Sequence, residues 1–354
     1  MLSATYDDAR RSFLAAAAEV HAVVTHHPHP LSGPDGGDLA IDVAELGPDT
    51  ADDVVLVVSG THGVEGYCGS ALQRRWLESH AGDRPDGVRV VMVHALNPYG
   101  FAWVRRVNED NVDLNRNFVD WAAGAPRNAD YAEIADLLVP TEFSEAEQAR
   151  TLGALLAIAE ESGLDHLQSV ISRGQYHHPT GLFYGGTGPV WSHRWLRSWA
   201  AAQLASCRRL TIIDLHTGLG PWGHGERIVV EAKGTPEYER AAALWGEVRS
   251  MLDGDSASAV LDGDWLSITH ELAPRAEVTA TALEFGTVDP LTVALALRAD
   301  AWLHAHGDPL GADAAPVRAQ VRAAFADDDP AWLDRTWEQF ALVITQALDA
   351  AGGR

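Results

Sequence analysis

Lysine is almost missing from this chain. Lys233 is the only one in 354 residues, and every other Lys/Arg cation is an arginine. A Schiff-base lysine or the lysine of a phosphate-binding P-loop would have to be Lys233, and its surroundings, "EAKGTP", suit neither. Cysteine is nearly as scarce: Cys68 and Cys207 are too few and too far apart for a disulfide framework or a thiolate zinc site. Positive charge of any kind is short, with 26 Lys and Arg against 50 Asp and Glu and a formal charge of −24. Such a field repels phosphate backbones and anionic lipid, which argues against nucleic-acid and membrane-surface partners. No apolar run approaches a membrane span. The opening "MLSATYDDARRSFLAAAAEV" carries acids early and reads as an amphipathic helix rather than an export signal. A cytoplasmic location is expected. Motifs of the G-x-S-x-G, H-E-x-x-H and H-x-x-E-H types are absent as well.

Hydrophobic residues make up 46% of the chain, enough for a sizeable core. Short β-branched runs alternate with Ala/Leu-rich stretches, the pattern of an α/β fold: a mixed, twisted sheet with helices on both faces. Strands are expected at Val54–Ser59, Val88–His94, Leu210–Leu215, Arg227–Glu231 and Ala280–Phe285. Several are continuous apolar runs, as strands covered on both faces tend to be. Helices are expected at Asp7–Val24, Gly69–His80, Glu145–Glu161, Leu291–His304 and Ala331–Ala350. Ser144 and Glu147 form a capping box for the third, and Gly163 lies just past its end. One domain over residues 1–354 is expected, with a catalytic core at about 54–290 and a helical part from 291 onward. The long irregular stretch 172–189 is dense in Gly, Pro, Tyr and His.

Three motif-like stretches are discarded. "GLGPWG" matches a dinucleotide fingerprint only formally, since Pro221 and the following "RIVVEA" oppose the helix that such a site requires. "DGDSASAVLDGD" lacks the glycine and terminal glutamate of a calcium loop. "HHPHP" at residues 26–30 reads as a proline-broken surface loop.

Other stretches combine. In "VVLVVSGTHGVEGYCG" an apolar strand runs straight into His62 and Glu65, three residues apart among glycines. A tight turn of that kind can aim an imidazole and a carboxylate at one metal ion. "LTIIDLHTG" ends an apolar strand with His216, where α/β enzymes gather their sites. "RRVNEDNVDLNRNF" crowds arginine and asparagine into a chain poor in cations, and guanidinium groups bind carboxylates and polarise carbonyl oxygens. "TATALEFGT" puts Glu284 inside an apolar strand, where a carboxylate needs a partner.

Taken in order, "HGVE", "NVDLNRNF", "DLH" and "LEFGT" resemble the zinc carboxypeptidase (carboxypeptidase A-like) superfamily over roughly residues 54–290. The run "NPYGFAWVRRVNEDNVDLNRNF" resembles a bacterial branch of it described as a domain of unknown function. The superfamily also holds the succinylglutamate desuccinylase and aspartoacylase deacylases. The resemblance implies that His62, Glu65 and His216 bind one Zn²⁺ per chain and that Glu284 moves the proton of the attacking water. It implies Arg106 as the oxyanion arginine, with Arg105 as the fallback, and Asn115 and Arg116 as the grip on a substrate carboxylate. Asp113 would accept a hydrogen bond from His62 and fix its tautomer. The pattern departs from the family's peptidases in one respect. Between His216 and Glu284 the only tyrosine is Tyr238, which reads as the start of a helix, so Tyr176 or Tyr184 would have to cap the substrate instead. The implied activity is hydrolysis of an amide in a small peptide or N-acyl amino acid. A strict deacylase and a non-catalytic binding protein are the alternatives, and the oligomeric state stays open.

Overall fold

The computed structural model describes residues 1–353. Its centre is an eight-stranded mixed sheet in the order β1-β2-β4-β3-β5-β8-β6-β7. The strands are β1 (Val23–Ser32), β2 (Asp38–Leu46), β3 (Asp53–Ser59), β4 (Val88–His94), β5 (Arg209–Trp222), β6 (Gly225–Val229), β7 (Arg249–Ser250) and β8 (Glu277–Gly286). The middle four, β4-β3-β5-β8, run parallel, while β1, β2 and β6 pair antiparallel to their inner neighbours. Helices cover both faces. The strand period of two sorts side chains between them: Val54, Leu56 and Val58 enter one core cluster, Val55 and Val57 the other. The second cluster packs under Trp76, Trp245, Trp332 and Phe340.

Every expected strand forms, with β5 running seven residues past Leu215 to Trp222. Three strands were not foreseen, of which β7 is only two residues long. "HHPHP" is not a surface loop but the body of β1, an edge strand, where proline costs no ladder bond on the open side. β2 escaped notice because its apolar run is broken by Asp42 and Glu45. Asp42 is paired with Arg10 and His26, and Glu45 with Arg89. The first helix spans Tyr6–Glu19 rather than reaching Val24. It stops where His21 turns left-handed at φ 56°, and the apolar residues beyond belong to β1. The last two expected helices form at Pro290–Ala305 and Pro330–Ala351, with another between them at Ala314–Phe325. Among the described residues no helix is long and apolar enough to cross a membrane.

Three features aim the site. β3 ends in Gly60, left-handed at φ 65°, which lets the chain turn sharply into "THGVEG". That turn docks backbone to backbone on the next site loop: Gly63 N donates to Arg106 O at 3.1 Å and Val64 N to Arg105 O at 2.8 Å. Finally, the parallel register sets Ser59 beside Leu215 and His216 beside Glu284. The carboxyl ends of β3, β5 and β8 thus open at one edge.

A Cβ on Gly63 would stand 2.1 Å from Gly100 C and 2.2 Å from Phe101 N, backbone atoms that cannot swing aside. Gly63→Ala is therefore expected to cost at least ~2 kcal/mol in urea denaturation. Gly153→Ala is the control, since its Cβ would meet nothing within 4 Å; in mid-helix it should gain ~0.5–1 kcal/mol. Equal midpoints for the two variants would refute the tight docking of the turn.

Candidate active site

The turn after β3 delivers His62 as the cap of a short 3₁₀ turn, Gly63–Glu65, which runs directly into the helix Gly66–His80. His216 arrives from β5. The two imidazoles meet at the Glu65 carboxylate, His62 Nδ1 lying 2.9 Å from Oε1 and His216 Nδ1 2.8 Å from Oε2. One ligand atom from each of the three residues lies within 4.8 Å of the others. All three side chains are buried. Burial works to raise the Glu65 carboxyl, but the two imidazoles beside it win and hold it below the ordinary carboxylate range.

Each ring is braced from behind. His62 Nε2 stands 3.1 Å from Asp113 Oδ1, and His216 Nε2 2.6 Å from Asp214 Oδ2. For His216, burial is outweighed by Asp214 and Glu65, so its pKa stands well above that of a free imidazole. His62 Nε2 has a second neighbour, Arg106 Nη2 at 2.8 Å, and can serve only one at a time. With the ring hydrogen on Nδ1, facing Glu65, Nε2 accepts from Arg106. With the hydrogen on Nε2 instead, the ring donates to Asp113 and releases the Arg106 N–H.

Asp214 carries more of the site than the sequence suggested. Its buried carboxylate accepts from Thr61 Oγ1 at 2.8 Å and Trp265 Nε1 at 2.6 Å besides facing His216. An unpaired carboxylate at such a depth would cost several kcal/mol. The signal was present in "DLH": residues two apart on a strand share a face, so Asp214 and His216 had to emerge together. Thr61 and Trp265 gave no comparable sign.

Glu284 sits beside His216 on β8, with Leu219 N donating to its Oε1 at 3.0 Å. Burial and then the Glu65 carboxylate push its pKa up to about 8, against the pull of His216, the Leu219 amide and Arg106. A carboxylate in that range accepts a proton far more readily than a surface glutamate.

The arginines separate cleanly. Arg106 faces the site, donating to Asp113 Oδ2 at 2.9 Å and Glu65 Oε1 at 3.0 Å. Arg105, the expected fallback, points away and is consumed by Asp300 at 3.0 and 3.2 Å and by Asn111 at 2.8 Å. Asp113 also caps the turn at 114–116, accepting from Asn115 N at 2.9 Å. Burial raises the Asp113 carboxyl, but Arg106, Arg116 and His62 hold it well below its ordinary range. Arg116 is buried, its pKa lowered chiefly by burial. Three of its five N–H groups go to backbone, Nε and Nη2 to Ser172 O and Nη1 to Asn115 O, leaving one on each terminal nitrogen. The Asn115 Oδ1 has no partner although it is buried, and both residues line the cleft.

The two loop tyrosines do not enter the cleft, which corrects the expectation for Tyr176. Its hydroxyl donates to Arg116 O at 2.7 Å, with Asp262 O at 3.3 Å, and so braces the loop under the arginine. Tyr184 lies in the core, its carbonyl accepting from Asp113 N at 2.8 Å. Tyr238 belongs to the helix Pro236–Trp245. The ring that this loop sends to the cleft is Phe183. The cleft also extends past the expected core, since Val293, Leu297 and Phe325 form part of its wall.

No curated protein matches the sequence. Among solved structures, carboxypeptidase A from Helicoverpa armigera aligns with 99% of this chain and 74% of its own, at 12% identity and a TM-score of 0.51. Bovine thrombin-activatable fibrinolysis inhibitor, solved with tick carboxypeptidase inhibitor, aligns over 99% of this chain and 97% of its own, at 10% identity and a TM-score of 0.51. The succinylglutamate desuccinylase from Chromobacterium violaceum covers 93% of this chain and 76% of its own at 15% identity, with a TM-score of 0.39. At such identities the likeness to the first two is one of fold alone. A family profile covers residues 2–339, and by it the chain belongs to the family described as Protein of unknown function (DUF2817).

Proposed function

We propose that the protein is a cytoplasmic, zinc-dependent amide hydrolase acting on a small peptide or N-acyl amino acid with a free carboxylate. The observation that supports this most is the convergence of His62, Glu65 and His216 beside Glu284 and Arg106. The residues fit a divalent cation. Two imidazoles with carboxylates behind them and one glutamate make a zinc donor set. Four buried carboxylates, Glu65, Asp113, Asp214 and Glu284, crowd the rings, and two guanidiniums, Arg106 and Arg116, answer them. A dication balances that excess. His62, Glu65 and His216 would hold it, and a zinc ion bound there acidifies water and polarises a carbonyl oxygen.

The remaining work falls to side chains of this chain. Glu284 takes the proton of the attacking water and passes it to the leaving amine nitrogen, the task its raised pKa suits. Arg106 donates to the oxygen on which negative charge develops. The two uncommitted N–H groups of Arg116 hold the substrate carboxylate, and Asn115 Oδ1 offers an acceptor to the neighbouring N–H. Ile228, Val230, Met251, Leu261 and Ala282 form an apolar wall to a cavity of about 100 Å³, which suits a short apolar side chain or acyl group. Among the described residues no tyrosine lines this cleft. That favours, as a second reading, a strict N-acyl amino acid deacylase over a peptidase. A non-catalytic zinc-binding protein of the same fold is the rival from another class, and the presence of Glu284 counts against it.

Metal content is the first test. Purified protein is expected to hold about one Zn²⁺ per chain, and His62→Ala or His216→Ala to lose most of it. Asp214→Asn should weaken zinc by roughly 10–100-fold in competition with a chromophoric chelator. Full zinc in both histidine variants by elemental analysis would remove the site.

Chemistry is separated from binding by Glu284→Gln, which keeps the shape without the proton acceptor. Zinc should stay while turnover of any substrate found among dipeptides and N-acyl amino acids falls by at least ~10². Near-normal turnover would place the base elsewhere.

The carboxylate anchor is tested on the substrate. Converting its carboxylate to an amide should lower kcat/KM by roughly 10²-fold or more, because Arg116 would be left unmatched. Arg116→Ala should shrink that discrimination rather than scale both substrates down together. Equal processing of acid and amide by the unmodified enzyme would discard the anchor.

A further inference from the structure

Phe183 has no place in the chemistry above, yet it lines the cleft in a backbone conformation that bulky residues rarely adopt, φ 53°. Strain of this kind persists only where the surroundings enforce it. Here they do. Gln175 N donates to Phe183 O at 3.1 Å, and the Gln175 side chain reaches Leu182 O at 3.3 Å and His178 O at 2.7 Å. From the other side Asn111 Nδ2 donates to Pro179 O at 2.9 Å and Gly181 O at 3.0 Å. The next residue, Tyr184, is tied to Asp113. The loop 175–184 is thus built around two amide side chains, Gln175 buried and Asn111 half-buried, and cannot relax the turn at 183 by itself.

What the strained residue reaches is specific. The Phe183 ring lies under two guanidiniums at once, with Arg106 Cζ at 5.5 Å and Arg116 Cζ at 5.1 Å from its centroid. Both distances are within the range of cation–π attraction. Two like charges sharing one site repel, and each is held by oxygen acceptors elsewhere: Arg106 by Glu65 and Asp113, Arg116 by Ser172 O and Asn115 O. A half-buried aromatic face turned to both shields them from water and fixes their spacing, which a leucine of similar bulk would not do.

We propose that Phe183 is a positioning residue: its ring holds Arg106 and Arg116 in a fixed pair, so that one substrate can meet both. This rests on the function proposed above for the two arginines, but it can fail separately. The ring has no polar group to offer a substrate or a metal ion, and its cation–π contacts are with the two arginines, so its contribution passes through them.

The test uses the full chain, zinc-loaded, with ¹⁵N-labelled arginine. The side-chain Nε–H signals of Arg106 and Arg116, assigned through Arg106→Lys and Arg116→Lys, should be ring-current shifted in the unmodified protein. Phe183→Leu should move both signals, and Phe183→Tyr should leave them in place. N-acetylglycine, titrated as a carboxylate probe with Glu284→Gln added to each protein to prevent turnover, should bind roughly 5-fold more weakly or worse to Phe183→Leu and nearly normally to Phe183→Tyr. Should Phe183→Leu fail to fold, Phe183→Met replaces it. Arginine signals and probe affinity unchanged in Phe183→Leu would overturn the proposal, as would equal losses in Phe183→Leu and Phe183→Tyr. Signals that respond as expected in a protein that binds no N-acetylglycine would support the positioning contact and count against the carboxylate anchor instead.

Discussion

Glu65 is gripped from both sides, by His62 through one carboxylate oxygen and by His216 through the other, and almost every other feature of the site follows from that contact. The two histidines are far apart in the chain and come from different elements. They can meet on one carboxylate only because β3 and β5 lie side by side, parallel, and end at the same level. The turn after β3 must then be tight enough for His62 and Glu65 to face back over the sheet end. Gly60 supplies the left-handed residue and Gly63 the absence of a side chain where the turn meets residues 100–101. The backbone bonds from that turn to Arg105 and Arg106 settle which way the arginine loop lies. A single carboxylate therefore records the alignment of a strand pair, a turn and a loop.

The same contact sets the charge balance. Buried carboxylates are expensive, and four of them, Glu65, Asp113, Asp214 and Glu284, crowd one edge of the sheet. Three have strong partners: imidazoles for Glu65, an imidazole, a hydroxyl and an indole for Asp214, and an imidazole plus Arg106 for Asp113. Glu284 has only an amide hydrogen bond, and it is the one whose pKa is pushed upward, to about 8. The environment thus holds the Glu65 carboxyl low and the Glu284 carboxyl high, without any difference in residue type. Around this edge the chain as a whole carries a formal charge of −24, so attraction of an anionic ligand has to come from nearby guanidiniums rather than the long-range field.

Much of this was legible in the sequence, for a definable reason. Strands buried on both faces are written as nearly continuous apolar runs, and β3 and most of β4 read that way. A polar residue interrupting such a run is conspicuous, so His216 and Glu284 could be picked out and the resemblance could do the rest. What failed to show was structure whose signal depends on a distant partner. β2 looked too charged to be a strand because Arg10, His26 and Arg89, which neutralise its acids, lie elsewhere in the chain. β1 looked like a loop because proline is punctuation everywhere except on an edge. Arg105 and Arg106 are adjacent and chemically equal, and only Asp300, nearly two hundred residues away, decides which one leaves the site. The tyrosine was looked for in the right loop, but the loop spends its tyrosines on bracing Arg116 and filling the core, and sends a phenylalanine to the cleft.

That last substitution separates what the fold fixes from what it leaves free. The ends of β3, β5 and β8 fix the histidines, the two glutamates and Asp214, and a sheet of this topology has little latitude there. The cleft wall comes from elsewhere: Gln168 and Ser172 on the helix 164–172, Phe183 on its strained turn, Met251 to Asp264 after β7, and Val293, Leu297 and Phe325 on the later helices. None of these is in the motifs that carry the family resemblance, and none is constrained by the sheet register. A likeness of fold at identities of 10–12% therefore concerns the sheet and its connections and is silent about the wall. Substrate choice belongs to the wall. Its apolar face and the Phe183 ring set against two guanidiniums are read from this chain, and under the function proposed above the acid or acyl group would have to be inferred from them rather than from relatives of the same shape.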